Sequence, residues 1–480
     1  MNYAMVLKKL GALLICEALA IIPSLIVSLI YRDGDSLAFL YTICLLLVVG
    51  STTLVIKPKN KGLYARDGFA IAAIGWILLS FFGALPFYFS GAIPSLVDSF
   101  FETSSGFTTT GSSILQDIEA LSNSMLFWRS FTHWIGGMGI LLLVIAILPA
   151  VGGGNLQIMK AESPGPSPGK LVPKVRQTAK LLYGIYFAIT IVEIVLLKIA
   201  GMPLLDSFIH SFGSVGTGGF SNKGMSVGAY NNISIEIIIT VFTFICGANF
   251  ALYYQLFKGN IKDFFKDEEL RLYTLIVVIS TLFITFNING SIFKSFGESL
   301  RHSSFQVVTI ITTTGYSSTD FNTWPTFSKM ILFILMFIGG CAGSTAGSIK
   351  NIRILLLFKA VKRDFMKIIH PRAVYQVRVG GKTVNEQILT EVLGFFFLFL
   401  MIFCGAVLII SFEGKDFITT ISSVATTLGN VGPGFGLVGP MGNFSEFSVL
   451  SKLTLSLCMI AGRLEIYPIL LLAFPKFWTK

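Results

Sequence analysis

The chain has 480 residues, of which 53% are hydrophobic and only 13% are charged, and its formal net charge is +11. With a mean hydropathy of +0.76 and 44 phenylalanines, this composition excludes a soluble protein of several domains. It predicts an integral membrane protein.

Apolar runs long enough to cross a bilayer as a helix, roughly 20 residues each, recur along the whole chain. Lys8 and Lys9 precede the first run, but that run is longer than the apolar core of a signal peptide, so we interpret it as a membrane helix. We predict about ten spans by this length criterion, at 10–31, 37–56, 68–92, 126–150, 181–201, 234–257, 272–289, 326–358, 387–411 and 444–474.

Lysine and arginine are unevenly distributed between the loops. If the N-terminus is cytoplasmic and the spans alternate, most of the 36 basic residues fall on the cytoplasmic side, as the positive-inside rule requires. We therefore expect both termini in the cytoplasm. The basic inner face could also meet anionic lipid or an acidic partner, whereas no basic surface with aromatic residues suggests nucleic-acid binding.

A polar, glycine-containing stretch interrupts the apolar sequence four times, after the third, fifth, seventh and ninth predicted spans. The four stretches read FFETSSGFTTTGSS, IHSFGSVGTGGFSN, FQVVTIITTTGYSS and SSVATTLGNVGPGFG. One glycine aligns in all four, and a hydroxyl residue lies twelve positions before each. The aligned glycines are Gly111, Gly219, Gly315 and Gly432, and the hydroxyl residues are Ser99, Ser207, Ser303 and Thr420. This pattern is a fourfold internal repeat.

Each repeat predicts a membrane helix, a short re-entrant helix, a glycine loop and a second membrane helix. Non-helical backbone at membrane depth is tolerated only where protein buries it or where it lines a water-filled path, so four such loops should share one axis. We predict an all-α integral membrane protein with two N-terminal helices and four pseudo-fourfold helix–pore loop–helix repeats around a central pore. The predicted units are 1–60 for the N-terminal extension and 61–155, 156–260, 261–370 and 371–480 for the repeats.

The residues next to the aligned glycines carry no charged side chains. Rings of backbone carbonyl oxygens can replace the hydration shell of a cation, and glycine allows the backbone conformations that such a loop needs. A neutral loop favours K⁺, because pores for Na⁺, Ca²⁺ or anions use charged side chains. Only one glycine recurs in each loop, so we expect looser K⁺/Na⁺ discrimination than in a filter with two.

The loops TTTG, GTGGFS, TTTGYS and GNVGPG, with GGCAGSTAGSIKNIR at 339–353, GRLE at 462–465 and the closing PKFWTK, resemble one family from end to end. It is the Trk/Ktr/HKT superfamily of K⁺ transporters, and within it the bacterial TrkH-type membrane subunits. The resemblance implies a K⁺-binding selectivity filter formed by Thr109, Thr110, Gly111, Thr217, Gly218, Gly219, Thr313, Thr314, Gly315, Asn430, Val431 and Gly432. K⁺ is then the transported ion, and no cofactor is expected in this chain.

The resemblance also implies the setting of the chain. It places the protein in a bacterial inner membrane as a homodimer, assembled on cytosolic TrkA-type regulatory subunits that bind NAD or ATP. The basic loops 258–271 and 359–382 are candidate docking surfaces for such a subunit, although lipid-facing, solvated loops are the default interpretation.

The eighth predicted span contains four glycines in GGCAGSTAGS, residues 339–348. Each glycine costs about 1 kcal/mol relative to alanine in a helix, so we expect this helix to break within the membrane. A packing patch of small residues is the structural alternative, whereas the resemblance implies a gate. The gate residues would be Gly339, Gly340, Gly343, Ser344, Thr345, Gly347 and Arg463. Arg463, inside the last span, could pair with Glu465 or face the pore against this loop.

Signatures of an enzyme are absent from the sequence. It has no G-x-x-x-x-G-K-[ST] loop and no metal-ligand spacing among its four histidines, and GFGLVG at 434–439 lacks the βαβ context of a nucleotide site. An inside-negative potential can drive K⁺ uptake without ATP hydrolysis by this chain. The alternative is an H⁺- or Na⁺-coupled K⁺ symporter, which usually has titratable groups at mid-membrane.

Overall fold

The computed structural model describes residues 1–56, 58, 62–139 and 175–479. Two N-terminal helices, α1 (Tyr3–Tyr31) and α2 (Ser36–Leu54), pack against each other. Glycines allow their close approach: a Cβ added to Gly50 would lie 2.7 Å from the side chain of Ile15. The pair then packs on the first helix of the first repeat.

The first two repeats follow the predicted order of long helix, re-entrant helix and second helix. The first repeat contains α3 (Ala65–Ser90), α4 (Leu96–Phe107) and α5 (Asn123–Gly137). The second contains α6 (Val175–Ile199), α7 (Leu204–Gly216) and α8 (Ile233–Cys246), continued by the short helices α9 (Phe250–Phe257) and α10 (Ile261–Lys266).

The third and fourth repeats have the same order. The third contains α11 (Glu268–Ile288), α12 (Phe296–Ile311), α13 (Thr326–Leu335) and α14 (Asn351–Ile369). A hairpin of β1 (Arg378–Val379) and β2 (Lys382–Thr383), with Arg378 opposite Thr383, leads to the fourth repeat. That repeat contains α15 (Glu386–Ser411), α16 (Phe417–Gly429), α17 (Val449–Arg463), α18 (Tyr467–Leu472) and α19 (Pro475–Trp478).

The second helix of a repeat is broken where the sequence predicted a continuous span. Among the described residues, six helices are long and apolar enough to cross a membrane alone, and α8 with α9 would make a seventh but for a 92° bend. The predicted uninterrupted span at 234–257 is therefore wrong. The bend is stabilised from outside the helix, because the carbonyl of Gly247 accepts a hydrogen bond from Cys341 N (2.8 Å) and the Asn249 side chain caps α9.

The last span, predicted at 444–474, also divides in two. Glu465 and Ile466 adopt left-handed backbone angles, with φ of 53° and 73°, between α17 and α18. The predicted break in 326–358 is confirmed, since residues 336–350 separate α13 from α14. The fourth predicted span, 126–150, begins within α5, and residues 140–150 lie outside the described residues.

The repeats are arranged in a ring. The second helix of one repeat packs against the re-entrant helix of the next: α5 against α7, α8 against α12, and α17 against α4. The last of these contacts joins the fourth repeat to the first, whereas α13 of the third repeat has no comparably close contact with α16 of the fourth. The predicted all-α membrane fold with four repeats around a shared centre is confirmed, and the re-entrant helices α4, α7, α12 and α16 all end near that centre.

Candidate ion pathway

The four aligned glycines lie in one ring, each against the backbone of the next loop. A Cβ added to one of them would meet a carbonyl oxygen of the neighbouring loop, namely Gly218 O for Gly111, Thr314 O for Gly219, Val431 O for Gly315 and Thr110 O for Gly432. These contacts run from the first repeat to the fourth and back to the first. All four glycines line the same cavity, of about 70 Å³, at the membrane face from which the re-entrant helices enter.

The loops share one backbone conformation that the sequence did not indicate. The residue two positions before each glycine is left-handed, with φ of 54° at Thr109, 56° at Thr217, 56° at Thr313 and 53° at Asn430. The glycines themselves have φ of 83°, 76°, 81° and 104° in chain order. A left-handed conformation costs a residue other than glycine roughly 1–2 kcal/mol. Each of these four residues therefore keeps a backbone conformation that its side chain disfavours.

The residue before each glycine turns its amide back to the re-entrant helix. The amides of Thr110, Gly218, Thr314 and Val431 donate to the carbonyls of Ser105, Gly213, Thr309 and Thr426, each at 2.8 Å. The second loop therefore aligns through Gly219, and Gly218 occupies the place of Thr110. The carbonyl oxygen of each of these residues faces the aligned glycine of a neighbouring loop.

The ring is neutral and almost wholly buried. The threonines at 109, 110, 217, 313 and 314 and Asn430 have no exposed surface. The C-terminal end of each re-entrant helix, which carries partial negative charge, lies just before the ring. The electrostatic contribution to the centre therefore comes from carbonyl groups and helix dipoles, which favour a cation.

A buried ion pair behind the ring holds the first two loops, and sequence reasoning missed it. The Glu102 carboxylate accepts hydrogen bonds from Arg129 Nε (2.6 Å), Ser113 Oγ (3.0 Å) and Ile114 N (2.9 Å). Arg129 also donates to Ser221 O (3.0 Å). Both charges lie in helices inside the membrane region, where an unpaired charge is costly. Two opposite charges within such helices were therefore the feature of the sequence that could have indicated this ion pair.

Further side chains connect neighbouring loops. Asn430 Nδ2 donates to Thr110 Oγ1 (2.9 Å) and to Met459 O (2.8 Å), which joins the fourth loop to the first. The hydroxyl of Tyr316 donates to Phe220 O (3.2 Å), which joins the third loop to the second. The hydroxyl residues twelve positions before the aligned glycines are not part of the ring. Ser99, for example, lies near the start of its re-entrant helix and donates to Ile93 O (3.0 Å).

The glycine-rich segment between α13 and α14, which we call the intramembrane loop (336–350), lies directly against the ring. Gly347 N donates to Thr313 Oγ1 at 2.6 Å. On its other side the loop bonds to the bend of the second repeat, through Cys341 N to Gly247 O (2.8 Å) and Phe250 N to Gly343 O (3.1 Å). A cavity of about 140 Å³ adjoins it.

Arg463 joins the intramembrane loop to two other repeats. Its guanidinium donates to the carbonyls of Thr345 (2.7 Å), Gly136 (2.5 Å) and Gly137 (2.5 Å). Glu465, the alternative partner considered from the sequence, forms a salt bridge with Arg353 of α14. Thus Arg463 contacts Thr345, one of the predicted gate residues.

Glu269 joins the middle of the intramembrane loop to the start of α14, and the sequence did not indicate it. Its carboxylate accepts hydrogen bonds from Ala342 N (2.6 Å) and Ile352 N (2.9 Å).

The predicted gate residues Gly339, Gly340, Gly343, Ser344, Thr345 and Gly347 all belong to the intramembrane loop, and Gly339 N bonds to Ile349 O (2.9 Å) across it. Structure therefore brings together every residue that the sequence assigned to the filter and the gate.

The chain is similar over its whole length to potassium transport proteins. A family model described as TrkH, cation transport protein, matches residues 36–480. The Trk system potassium uptake proteins TrkH of Salmonella typhimurium and of Escherichia coli K12 are each 39% identical, with full coverage of both chains. TrkG of Escherichia coli K12 is 34% identical over 98% of this chain and 97% of its own.

A solved structure shows the same fold. The crystal structure of the potassium transporter TrkH from Vibrio parahaemolyticus matches with a TM-score of 0.90 at 34% identity, and all of both chains is covered. The names of these relatives describe transporters rather than enzymes. That agrees with the absence of enzyme motifs from the sequence.

Proposed function

Because this chain belongs to the TrkH family of cation transport proteins, we propose that it takes up potassium across a bacterial membrane as the membrane subunit of a Trk system. Relatives with this role in their names cover the chain from end to end. The observation that carries the proposal is the closed ring of four glycine loops, whose carbonyl oxygens meet at one buried, neutral centre.

The ring acts as the selectivity filter. A K⁺ ion gives up its hydration water and binds carbonyl oxygens that are already in place. The filter residues are the twelve that the family resemblance implied: Thr109, Thr110, Gly111, Thr217, Gly218, Gly219, Thr313, Thr314, Gly315, Asn430, Val431 and Gly432. The inter-loop bonds of Asn430 and Tyr316 support this function, because they resist any widening of the ring.

The intramembrane loop acts as the gate. It bonds to the filter threonine Thr313 on one side and to Arg463 on the other, so an ion leaving the filter meets it directly. The positive charge of Arg463 beside this path opposes a cation until the loop moves. Movement must break the hydrogen bonds to Gly247 and Arg463, which gives the closed state its stability.

The driving force is the membrane potential. It supplies about 2.3 kcal/mol per elementary charge for each 100 mV. The filter offers no carboxylate to a coupling ion, and the buried Glu102 behind it is paired with Arg129. We therefore favour uniport over H⁺- or Na⁺-coupled symport.

We infer the rest of the assembly from the family resemblance. Both termini lie in the cytoplasm of a bacterium, the chain forms a homodimer in the inner membrane, and cytosolic TrkA-type subunits that bind NAD or ATP control the gate. We propose that the units divide near the boundaries that the sequence suggested, with α10 extending the second repeat beyond residue 260. The basic surface at 359–382, which includes the exposed Lys362 and Lys367 of α14, is the docking face.

Ion flux into liposomes that contain the purified chain tests the proposal. We expect K⁺ and Rb⁺ flux, weaker Na⁺ flux, and a reversal potential that follows the K⁺ gradient and not the pH or Na⁺ gradient. A reversal potential that shifts with pH at constant K⁺ would overturn uniport. Absence of K⁺ flux from a chain lacking residues 341–345, which cannot close the gate, would overturn K⁺ transport itself.

A further inference from the structure

The ring of helix contacts is open at one place. In the described chain, three second helices pack against the re-entrant helix of the next repeat, but α13 and α16 do not pack closely. Between them lies a crevice of about 540 Å³, within the range of about 300–1,000 Å³ that holds small ligands. Met330 and Phe333 of α13, Ile418 and Ile421 of α16, and Phe435 line it.

The crevice lies at the depth of lipid headgroups and upper acyl chains. Both α13 and α16 begin at the membrane face from which the re-entrant helices enter. Phe333 is about 10 Å along α13 from Thr326 at 1.5 Å per residue, so the crevice extends from the interface into the hydrocarbon of one leaflet. Beside it, Phe327, Ile334 and Phe417 are 53%, 54% and 77% exposed on the surface that lipid covers.

One cation and one anion flank the mouth of the crevice. Lys329 Nζ donates to Asn322 O at 3.3 Å, and an ammonium group has three donors, so it can hold a further acceptor. Asp416 is exposed and caps α16 by accepting from Thr419 N (3.1 Å). A hydrogen bond from the Thr419 side chain lowers the pKa of Asp416, so this carboxylate is charged at neutral pH.

We propose that the crevice binds one phospholipid with a primary-amine headgroup, of the phosphatidylethanolamine type. An acyl chain lies between α13 and α16, the phosphate bonds to Lys329, and the headgroup ammonium bonds to Asp416. The pair of opposite charges matches a zwitterion. An anionic glycerol headgroup would face Asp416 without a positive charge, and a choline headgroup has no N–H to donate to it.

The lipid supports the fourth filter loop in the place where a packed helix supports the others. Ser422 lines the crevice, and its hydroxyl accepts from Phe435 N (2.9 Å) and donates to Phe435 O (3.2 Å). Asn322 accepts from Gly436 N (3.2 Å). Phe435 and Gly436 lie three and four residues after Gly432, so loss of the lipid loosens the fourth filter loop. This consequence, unlike the binding itself, rests on the proposed function.

Native mass spectrometry of the full chain, extracted in mild detergent, tests the binding without reference to transport. We expect one phosphatidylethanolamine per chain in the wild type. Met330→Trp fills the crevice and should remove it, while Ile334→Trp adds the same ring to the exposed side of α13 and should not. Lys329→Met should weaken binding about tenfold, the loss expected for one charge-assisted hydrogen bond, with Lys294→Met in an exposed loop as its control.

Three outcomes would overturn the proposal. The first is equal lipid retention by Met330→Trp and Ile334→Trp. The second is preferential retention of phosphatidylglycerol or phosphatidylcholine when each is added. The third is a dimer that dissociates in Met330→Trp without lipid loss, which would make a second copy of this chain the occupant. If Met330→Trp does not fold, the comparison of lipid retention between Lys329→Met and Lys294→Met tests the proposal instead, because Lys329→Met leaves the packing of the crevice unchanged. Equal lipid retention by these two variants would then overturn it.

Discussion

The filter ring depends on single glycines that combine a left-handed backbone with close contact to the neighbouring loop. Gly315 combines a φ of 81° with a neighbouring loop so close that an added Cβ would overlap Val431 O and lie 2.7 Å from Pro433. Its alignment with three other glycines was visible in the sequence. The four left-handed residues at Thr109, Thr217, Thr313 and Asn430 were not, because tertiary contacts impose that conformation on residues that disfavour it.

Gly315→Ser should lower the K⁺/Na⁺ flux ratio in liposomes about tenfold, a loss that corresponds to about 1.4 kcal/mol. The added side chain displaces the Val431 carbonyl and widens the ring. Gly290→Ser is the matched control, since Gly290 has a similar φ of 77° but nothing within 4 Å of an added Cβ. Equal flux ratios in the two variants would argue against the filter assignment of Gly315.

Glu102→Gln should destabilise the protein by about 3–5 kcal/mol, because it leaves the buried Arg129 charge without its counter-ion. Thermal unfolding in detergent measures the effect. The control is Glu119→Gln at an exposed salt bridge with Lys223 (3.2 Å), where a hydrogen bond from the lysine lowers the carboxyl pKa. We expect little change there, since water screens the pair. Similar melting temperatures for both variants would refute the structural role of Glu102.

At the scale of elements, the sequence predicted long helices well and broken helices poorly. The runs that became α1, α2, α3 and α15 were continuous and apolar, so length alone identified them. The bend after α8 depends on a hydrogen bond from Cys341, almost a hundred residues away in the chain, and no local pattern reports such a partner. The break at 336–350 was predictable because four glycines made it locally unfavourable.

Deleting residues 341–345 should raise K⁺ flux and make it independent of any cytosolic regulator. The deletion removes the carbonyl of Thr345 that Arg463 holds and the amide of Cys341 that bonds to Gly247. Flux in liposomes, with and without the regulatory subunit, measures the effect. Deletion of five residues from the exposed hairpin at 378–383 is the control and should leave unregulated flux unchanged. Flux no higher than in the wild type would remove the gating role.

At the scale of the whole molecule, the fourfold arrangement could be predicted because its repeats survive in the sequence. The closure of the glycine ring could not be predicted, nor could the open joint between α13 and α16 among the described helices, because repeat spacing does not determine how helices pack. The sequence shows Glu102 and Arg129 as charges in membrane helices, but it does not show their partners or those of Glu269, because the partners come from other elements.

Charge reversal on the basic surface should weaken the assembly with the cytosolic subunit. We expect Lys362→Glu with Lys367→Glu to reduce binding at low salt, and the wild-type affinity to fall as salt screens the interaction. Lys294→Glu, on the opposite side in the proposed topology, is the control. Size-exclusion chromatography of the mixed subunits measures the complex, and unchanged binding by the double variant would exclude this docking face.

Anomalous diffraction from crystals of the chain grown in Rb⁺, a heavier ion of the same charge as K⁺, tests directly whether the glycine ring binds the transported ion. We predict a peak on the axis, surrounded by the carbonyl oxygens of Thr110, Gly218, Thr314 and Val431. A peak elsewhere in the chain, or none at this ring while Rb⁺ is transported, would contradict the account.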